Sequence, residues 1–274
     1  MKHIISIIFF SFFITACHTP APFNTATTEA LVTSKQLKEI EIHTSKYTLK
    51  AWTPKQPTTQ KLRIYIEGDG KAWLKRGIPS TNPTPVNRLV HSLMLEDPHT
   101  DIAYLGRPCQ YILTQACNQS VWTFDRYDSN SLASINEAID HLKEAGNYKE
   151  VEIIGYSGGA TLALLSAAHR NDVKSIWTLA GNLDPRFTNE FHQVTPMPSA
   201  MNPIDFQKQL QQIPQLHFYG SKDPIIPYQI SKHYTQKSID KKCISVIRVE
   251  DATHSKGWKE SWNRLIKIIP SCRK

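Results

Sequence analysis

Short apolar runs alternate with segments of helical periodicity along most of the chain. In residues 131–145 the apolar side chains Leu132, Ile135, Ile139 and Leu142 recur every three or four positions, which is the spacing of an amphipathic helix. The apolar runs predict strands at residues 40–42, 47–52, 62–66, 101–105, 151–154, 173–180, 216–219 and 244–249. Helices are predicted at residues 85–95, 131–145, 159–169, 228–234 and 258–268. This alternation predicts an α/β protein with a mostly parallel central sheet flanked by helices on both faces.

One long segment interrupts the alternation. Residues 181–214 contain no clear strand pattern, and they lie between two predicted strands. We interpret them as a short insertion that forms a candidate lid over the carboxyl edge of the sheet.

The N-terminus has the pattern of an export signal. Residues 4–16 are almost all apolar and follow Lys2 and His3. A run of this length is too short to cross a bilayer core of about 30 Å, which needs about 20 residues. It fits the apolar region of a secretory signal peptide better than a buried core helix, so residues 1–16 are predicted to be a signal peptide.

The end of this run resembles the lipobox of bacterial lipoproteins. Ile14, Thr15 and Ala16 precede Cys17, which would become the lipidated first residue of the mature chain. Acyl chains on Cys17 would anchor the protein durably, since each buried CH₂ contributes about 0.8 kcal/mol. Ordinary signal cleavage beside an incidental cysteine is the alternative. By the lipoprotein sorting pattern, His18 in place of Asp predicts the outer membrane, facing the periplasm.

Two segments of different composition follow the lipobox. Residues 17–35 are rich in Thr, Ala and Pro and are interpreted as a tether, and residues 36–274 are interpreted as one folded domain. A hydrophobic fraction of 40% is enough for one sizeable core and excludes a disordered chain. The formal net charge is +8, but the basic residues are scattered, so no nucleic-acid partner is expected.

The cysteine count supports an exported protein. Of the five cysteines, Cys17 is assigned to lipidation, which leaves Cys109, Cys117, Cys243 and Cys272. Four cysteines in an exported protein predict two disulfides with three possible connectivities. The near-neighbour scheme pairs Cys109 with Cys117 and Cys243 with Cys272. Because the chain has no C-x-x-C pair, no zinc site or other metal site is expected.

A G-x-S-x-G motif supplies the candidate nucleophile. Residues 155–159 read Gly-Tyr-Ser-Gly-Gly, with a predicted strand before them and a predicted helix after them. This is the context of a nucleophile elbow, in which the serine projects above the sheet at the start of a helix. The motif therefore marks Ser157 as the nucleophile, against the alternative of a tight turn with an inert serine.

A serine nucleophile needs a base and a carboxylate that orients it. His254 lies in a loop after the last predicted strand, where α/β enzymes place catalytic groups, whereas His217 lies inside a strand. Asp223 and Asp184 both follow predicted strands. Asp223 is the preferred acid because its strand neighbours the one before His254, and Asp184 is the alternative acid. A structural turn aspartate is the other interpretation of Asp223.

Two backbone N–H groups are needed to stabilise the oxyanion. Gly158 follows the nucleophile and is the first predicted donor. Asp69, in the loop after the predicted strand 62–66, is the second. Glu67 stands in the same loop, where many esterases have a histidine, so two carboxylates are expected near an anionic site. Arg107 and Lys71 are their possible partners.

Through these motifs the chain resembles the α/β-hydrolase superfamily over residues 40–270. More narrowly, it is similar to a group of bacterial α/β-hydrolase lipoproteins that share three further segments. These segments are Arg107–Tyr111, Ala180–Asp184 and Ser199–Pro203. The resemblance implies a serine hydrolase and names no substrate.

The sequence therefore predicts an envelope-anchored serine hydrolase that cleaves carboxyl esters, or amides, without a cofactor. Its expected partners are a small-molecule acyl substrate and, through the lipid anchor, the membrane. Two alternatives stay open. One is a non-catalytic binding or assembly factor of the envelope that retains the fold, and the other is a peptidase or acyltransferase.

Overall fold

The computed structural model describes residues 25–273, which form ten strands and nine α-helices. The strands are β1 Leu37–His43, β2 Thr48–Pro54, β3 Lys61–Ile66, β4 Trp73–Lys75, β5 Ile78–Pro79, β6 Ile102–Leu105, β7 Glu150–Tyr156, β8 Val173–Leu179, β9 Gln215–Gly220 and β10 Ile244–Val249. The helices are α1 Thr25–Ser34, α2 Leu89–Glu96, α3 Gln119–Trp122, α4 Ser129–Gly146, α5 Gly158–Ala168, α6 Pro185–Phe191, α7 Gln207–Leu210, α8 Tyr228–Lys237 and α9 Trp258–Leu265.

Eight strands form one sheet in the order β1-β2-β6-β3-β7-β8-β9-β10. The six strands from β6 to β10 in that order pair in parallel, whereas β2 is antiparallel to both β1 and β6. The predicted mostly parallel sheet is confirmed. Since parallel strands share their direction, the loops after β3, β7, β9 and β10 all leave the same edge of the sheet.

Each face of the sheet is covered by its own apolar cluster. Along β3, Leu62 and Ile64 belong to the cluster that also contains the buried side chains of α4 and α5. Tyr65, which follows Ile64, points to the opposite face of the sheet. There it belongs to the second cluster, which also contains side chains of α1, α2 and α9. This alternation is the two-residue period of a strand, and burial on both faces explains why the central strands are almost wholly apolar.

The folded part begins earlier than predicted. Residues 25–34, which were assigned to the tether, form α1, and Leu31 of this helix is fully buried in the cluster with α2 and α9. Burial of a leucine side chain contributes about 2 kcal/mol, which helps to hold α1 in place. The predicted signal peptide 1–16, the lipidated Cys17 and the tether up to residue 24 lie outside the described residues.

The segment predicted as a lid has structure of its own. It contains α6, a 3₁₀ turn at Pro203–Phe206 and α7, and residues between α6 and the 3₁₀ turn form a largely exposed loop. The β4–β5 hairpin, which no sequence pattern indicated, lies in the connection from β3 to α2. A lid function for residues 181–214 stays a prediction.

Both near-neighbour disulfides are present. The Cα atoms of Cys109 and Cys117 are 5.7 Å apart, and those of Cys243 and Cys272 are 3.9 Å apart. The second disulfide ties the start of β10 to the C-terminal tail. Within residues 25–273, no helix is both long and apolar enough to traverse a bilayer.

Candidate active site

Ser157 sits on a sharp turn between β7 and α5. Its backbone has φ 52° and ψ −119°, a strained conformation for a residue with a side chain. The glycines on either side make this turn possible. A Cβ on Gly155 would lie 2.5 Å from the Ala160 Cα, and one on Gly159 would overlap the Ile66 carbonyl oxygen. The predicted strand, turn and helix of a nucleophile elbow are therefore formed.

The three predicted catalytic side chains lie in one line of hydrogen bonds. Ser157 Oγ is 3.0 Å from His254 Nε2, and His254 Nδ1 is 3.0 Å from Asp223 Oδ2. The Asp223 side chain is fully buried, and 18% of the His254 side chain is exposed. The carboxylate is therefore shielded from water, whereas part of the imidazole is accessible.

Asp223 is held by its own loop. Its Oδ1 accepts hydrogen bonds from the backbone N–H groups of Ile225 at 2.8 Å and Ile226 at 3.0 Å, which leaves Oδ2 to face His254. Asp223 therefore also stabilises its turn, as its alternative interpretation predicts. One carboxylate oxygen shapes the turn and the other contacts the histidine.

Asp184, the alternative acid, faces other groups. Its Oδ1 caps α6 by accepting from the Phe187 N–H at 3.1 Å and also accepts from Asn202 Nδ2 at 2.7 Å. Its Oδ2 lies 3.3 Å from His233 Nε2. Asp223 rather than Asp184 therefore contacts His254 in this structure, and Asp184 joins the start of residues 181–214 to Asn202 and to α8.

The loop that carries His254 is fixed from both sides. The Tyr156 hydroxyl donates to the His254 carbonyl oxygen at 3.0 Å, and Trp258 Nε1 donates to the same oxygen at 3.2 Å. His217, by contrast, is buried inside β9 beside Thr178 Oγ1 at 2.9 Å. Burial lowers the pKa of His217 to about 3, so this histidine is neutral and serves packing.

The predicted oxyanion donors lie on the two loops beside Ser157. Gly158 is the first residue of α5, so its N–H has no partner within the helix. The loop after β3 approaches closely, since a Cβ on Gly68 would lie 3.2 Å from the Ser157 Cβ. Asp69 follows Gly68 directly. Donation by Gly158 and Asp69 to an oxyanion stays a prediction that this placement allows.

The Asp69 carboxylate is held by a cluster of donors. Arg107 forms an ion pair with Oδ1, Arg126 Nε lies 3.2 Å from Oδ2, and the Tyr127 hydroxyl donates to Oδ1 at 3.2 Å. Burial acts to raise the pKa of Asp69, but the two arginines outweigh it and hold that pKa below its ordinary value. The cluster packs against Gly158, where a Cβ would overlap Asp69 Oδ1.

Glu67, the second carboxyl of this loop, forms no such ion pair with any residue between 25 and 273. It is 2% exposed, and its oxygens accept from the Gly68 N–H at 2.9 Å and the Tyr104 hydroxyl at 2.8 Å. Burial raises its pKa to about 7. Of the two predicted cationic partners, Arg107 pairs with Asp69, and Lys71 is exposed.

A comparison with protein families assigns the chain. The family model described as serine hydrolase (FSH1) matches residues 107–247, which is just over half of the chain. The chain belongs to the FSH1 family of serine hydrolases. The matched range includes Ser157 and Asp223, whereas Asp69 and His254 lie outside it. A comparison with curated proteins finds no match.

Solved structures show the same fold in other hydrolases. Est1E from Butyrivibrio proteoclasticus is 16% identical with a TM-score of 0.57, and the match covers 84% of this chain and 96% of that one. The Pyrococcus furiosus esterase Pf2001 is 14% identical with a TM-score of 0.60, covering 86% and 91%. The Pyrococcus horikoshii acylaminoacyl peptidase is 12% identical with a TM-score of 0.62, covering 84% and 40%. At these identities the likeness concerns the fold, and it confirms the α/β-hydrolase architecture.

The three segments on which the sequence resemblance to lipoproteins rests make contacts around the site of this serine hydrolase. In the first, Gln110 Nε2 donates to the Gly68 carbonyl oxygen at 2.9 Å, beside the Arg107–Asp69 pair. In the second, the Asn182 N–H donates to the Ser157 carbonyl oxygen at 3.0 Å. The third supplies Asn202, which binds Asp184. Sequence reasoning missed these bracing roles and the part of Arg126, because no local pattern indicates such long-range contacts.

Proposed function

We propose that this serine hydrolase cleaves carboxyl esters through an acyl-enzyme on Ser157, while anchored to the cell envelope. The observation that carries the catalytic part is the line of hydrogen bonds from Ser157 to His254 and Asp223, at 3.0 Å each. A serine hydroxyl is a weak nucleophile at neutral pH, and this line supplies the base and the carboxylate that it lacks.

The three side chains have distinct roles in the proposed reaction. His254 Nε2 takes the hydroxyl proton as Ser157 Oγ attacks the acyl carbon, and Asp223 stabilises the imidazolium that forms. The same Nε2 then donates the proton to the departing alkoxide oxygen as the acyl–oxygen bond breaks. Water then attacks the acyl carbon and gives a proton to His254 Nε2. His254 returns this proton to Ser157 Oγ as the acyl–Oγ bond breaks and the carboxylic acid leaves.

Backbone N–H groups are proposed to stabilise the negative charge that develops on the carbonyl oxygen. The N–H groups of Gly158 and Asp69 are the proposed donors, and the start of α5 adds the favourable end of the helix dipole. The two arginines around Asp69 support this role, because they balance a carboxylate that would otherwise repel the oxyanion.

A fluorophosphonate probe tests the nucleophile. We expect the wild-type chain to be labelled at Ser157, and Ser157→Ala to lose the label while keeping its circular dichroism spectrum. Ser129→Ala, at an exposed position at the start of α4, is the matched control and should label normally. Full labelling of Ser157→Ala would refute the proposed nucleophile.

The choice of bond is tested with paired substrates. A 4-nitrophenyl ester and the 4-nitroanilide of the same acyl chain differ only in the leaving group. We expect measurable kcat/KM on the ester and little on the anilide. Equal or faster cleavage of the anilide would favour the peptidase alternative.

The envelope anchor is proposed from the N-terminal sequence. The apolar run before Cys17 and the two disulfides both fit an exported protein, since disulfides persist in oxidising compartments. We propose that acylated Cys17 holds the protein at the outer membrane, facing the periplasm. Cys17→Ser should move the chain from the membrane fraction to a soluble or unprocessed form. Mass spectrometry that finds no acyl group on native Cys17 would contradict the anchor.

A further inference from the structure

A cleft of about 560 Å³ lies between the β4–β5 hairpin and residues 189–197 of the predicted lid. Its apolar wall includes Trp73, Phe124, Val194 and Met197, and the rings of Trp73 and Phe124 pack edge to face with their centroids 5.7 Å apart. Val194 is 41% exposed and Phe124 38%, so this wall is open to a ligand. A cleft of this size fits an acyl chain or a small ring.

One end of the cleft is close to the nucleophile. Arg126 lines the cleft, and its Nε is 3.2 Å from Asp69 Oδ2. The Asp69 carboxylate in turn packs against Gly158, the residue after Ser157. The Arg126 end of the cleft is therefore linked to the elbow through the Asp69 carboxylate, which packs against Gly158 together with Tyr127 and Arg107.

The charge of the cleft has one sign. The described residues that line it include two arginines, Arg76 and Arg126, and no carboxylate. Arg126 and Arg107 together share the single negative charge of Asp69, so that cluster keeps a net positive charge. Arg76 is exposed on the hairpin and forms no ion pair within residues 25–273.

We propose that the cleft binds the acyl chain of the substrate, and that this chain has an apolar body and ends in an anionic group paired with Arg76. Apolar atoms of the chain would cover Trp73 and Phe124, and the distal carboxylate or phosphate would meet the Arg76 guanidinium, which has no ion-pair partner among residues 25–273. The proposal rests on the ester hydrolysis proposed above and names the class of ester.

The test compares two 4-nitrophenyl esters of equal chain length. One is the hexanoate, and the other is the monoester of adipic acid, which ends in a carboxylate. We expect wild-type kcat/KM to be higher for the adipate ester. Arg76→Gln should raise KM for that ester about tenfold with little change in kcat, since it removes a charge-assisted contact made equally in ground and transition states. Its hexanoate kinetics should stay as in the wild type.

Lys75→Gln is the matched control, because Lys75 is an exposed cation on the same hairpin that does not line the cleft. It should leave the adipate preference intact, whereas 1 M NaCl should weaken that preference in the wild type by screening. Equal effects of Arg76→Gln on both esters, or on neither, would overturn the proposal. A protein that labels with the fluorophosphonate but hydrolyses neither ester overturns it too, while loss of labelling would overturn the proposed function itself.

Discussion

Glu67 gives the protein a pH-dependent stability that one substitution should remove. Burial raises the pKa of this carboxyl from an ordinary 4.5 to about 7, so the folded chain binds its proton more tightly than the unfolded chain does. Below pH 4.5 the carboxyl is protonated in both states, and its contribution to stability is fully present. As pH rises through 7 the folded protein must ionise a buried group, and that contribution is lost.

The size of this loss follows from the two pKa values. A difference between 4.5 and about 7 corresponds to about 3 kcal/mol in the free energy of unfolding. For a domain of this size that amounts to a change in Tm of about 6–12 °C. Glu67→Gln should abolish the change, because the neutral amide can accept from the Gly68 N–H and donate to the Tyr104 hydroxyl, as the protonated carboxyl can.

The assay is urea unfolding of wild type and Glu67→Gln between pH 4.5 and 8.5. The difference in unfolding free energy between the two proteins should change by about 3 kcal/mol across this range, in favour of the variant at high pH. Glu144→Gln, at an exposed position on α4, is the matched control and should track the wild type. Parallel curves for wild type and Glu67→Gln would show that Glu67 does not titrate near neutral pH, and the reasoning from burial would fail.

Three further predictions concern the acid, the tail and the elbow. Asp223→Asn should lower kcat on a 4-nitrophenyl ester by about 10⁴, because the orienting carboxylate is lost. Asp184→Asn should keep more activity, because the Asn amide oxygen can still cap α6. The reverse order of activities would make Asp184 the catalytic acid. Replacing both Cys243 and Cys272 with Ser should lower the unfolding free energy by about 3 kcal/mol, and peptide mapping that finds four free thiols in the native protein would contradict both disulfides. Gly159→Ala should reduce soluble yield and fluorophosphonate labelling together, because its Cβ meets backbone oxygen, and normal labelling would refute this account of the elbow.

The central sheet was predictable because the physics that forms it is local. Strand β10 matches its predicted range, and β7 and α5 differ from theirs by one or two residues, since apolar runs and helical periodicity are written directly in the sequence. Helix α1 was missed because its apolar side chains do not recur at helical spacing, and its stability comes from burial of Leu31 against α2 and α9. Such tertiary support leaves no local pattern.

The site divides in the same way. Ser157 and His254 could be predicted from a motif and a topological rule, but choosing between Asp223 and Asp184 required knowledge of which carboxylate the folded chain aims at the histidine. The partner of Asp69 was harder still. Arg107 is one of the two possible partners that the sequence suggests, but Arg126 lies further along the chain still, and nothing in the spacing of charges indicates that the two arginines converge on Asp69.

The two carboxyl groups of the loop after β3 lie beside the proposed oxyanion site, and the structure treats their charges differently. Asp69 stays ionised, and its charge is balanced by Arg107 and Arg126. Glu67 is instead kept largely neutral below pH 7 by burial, at the cost of stability at higher pH. An exposed or unpaired carboxylate at either position would oppose the charge that develops on the substrate oxygen. Ion pairing of Asp69 and burial of Glu67 therefore both reduce the repulsion between these carboxyl groups and the proposed oxyanion. Asp69 stays charged and paired, whereas Glu67 makes the stability of the fold depend on pH.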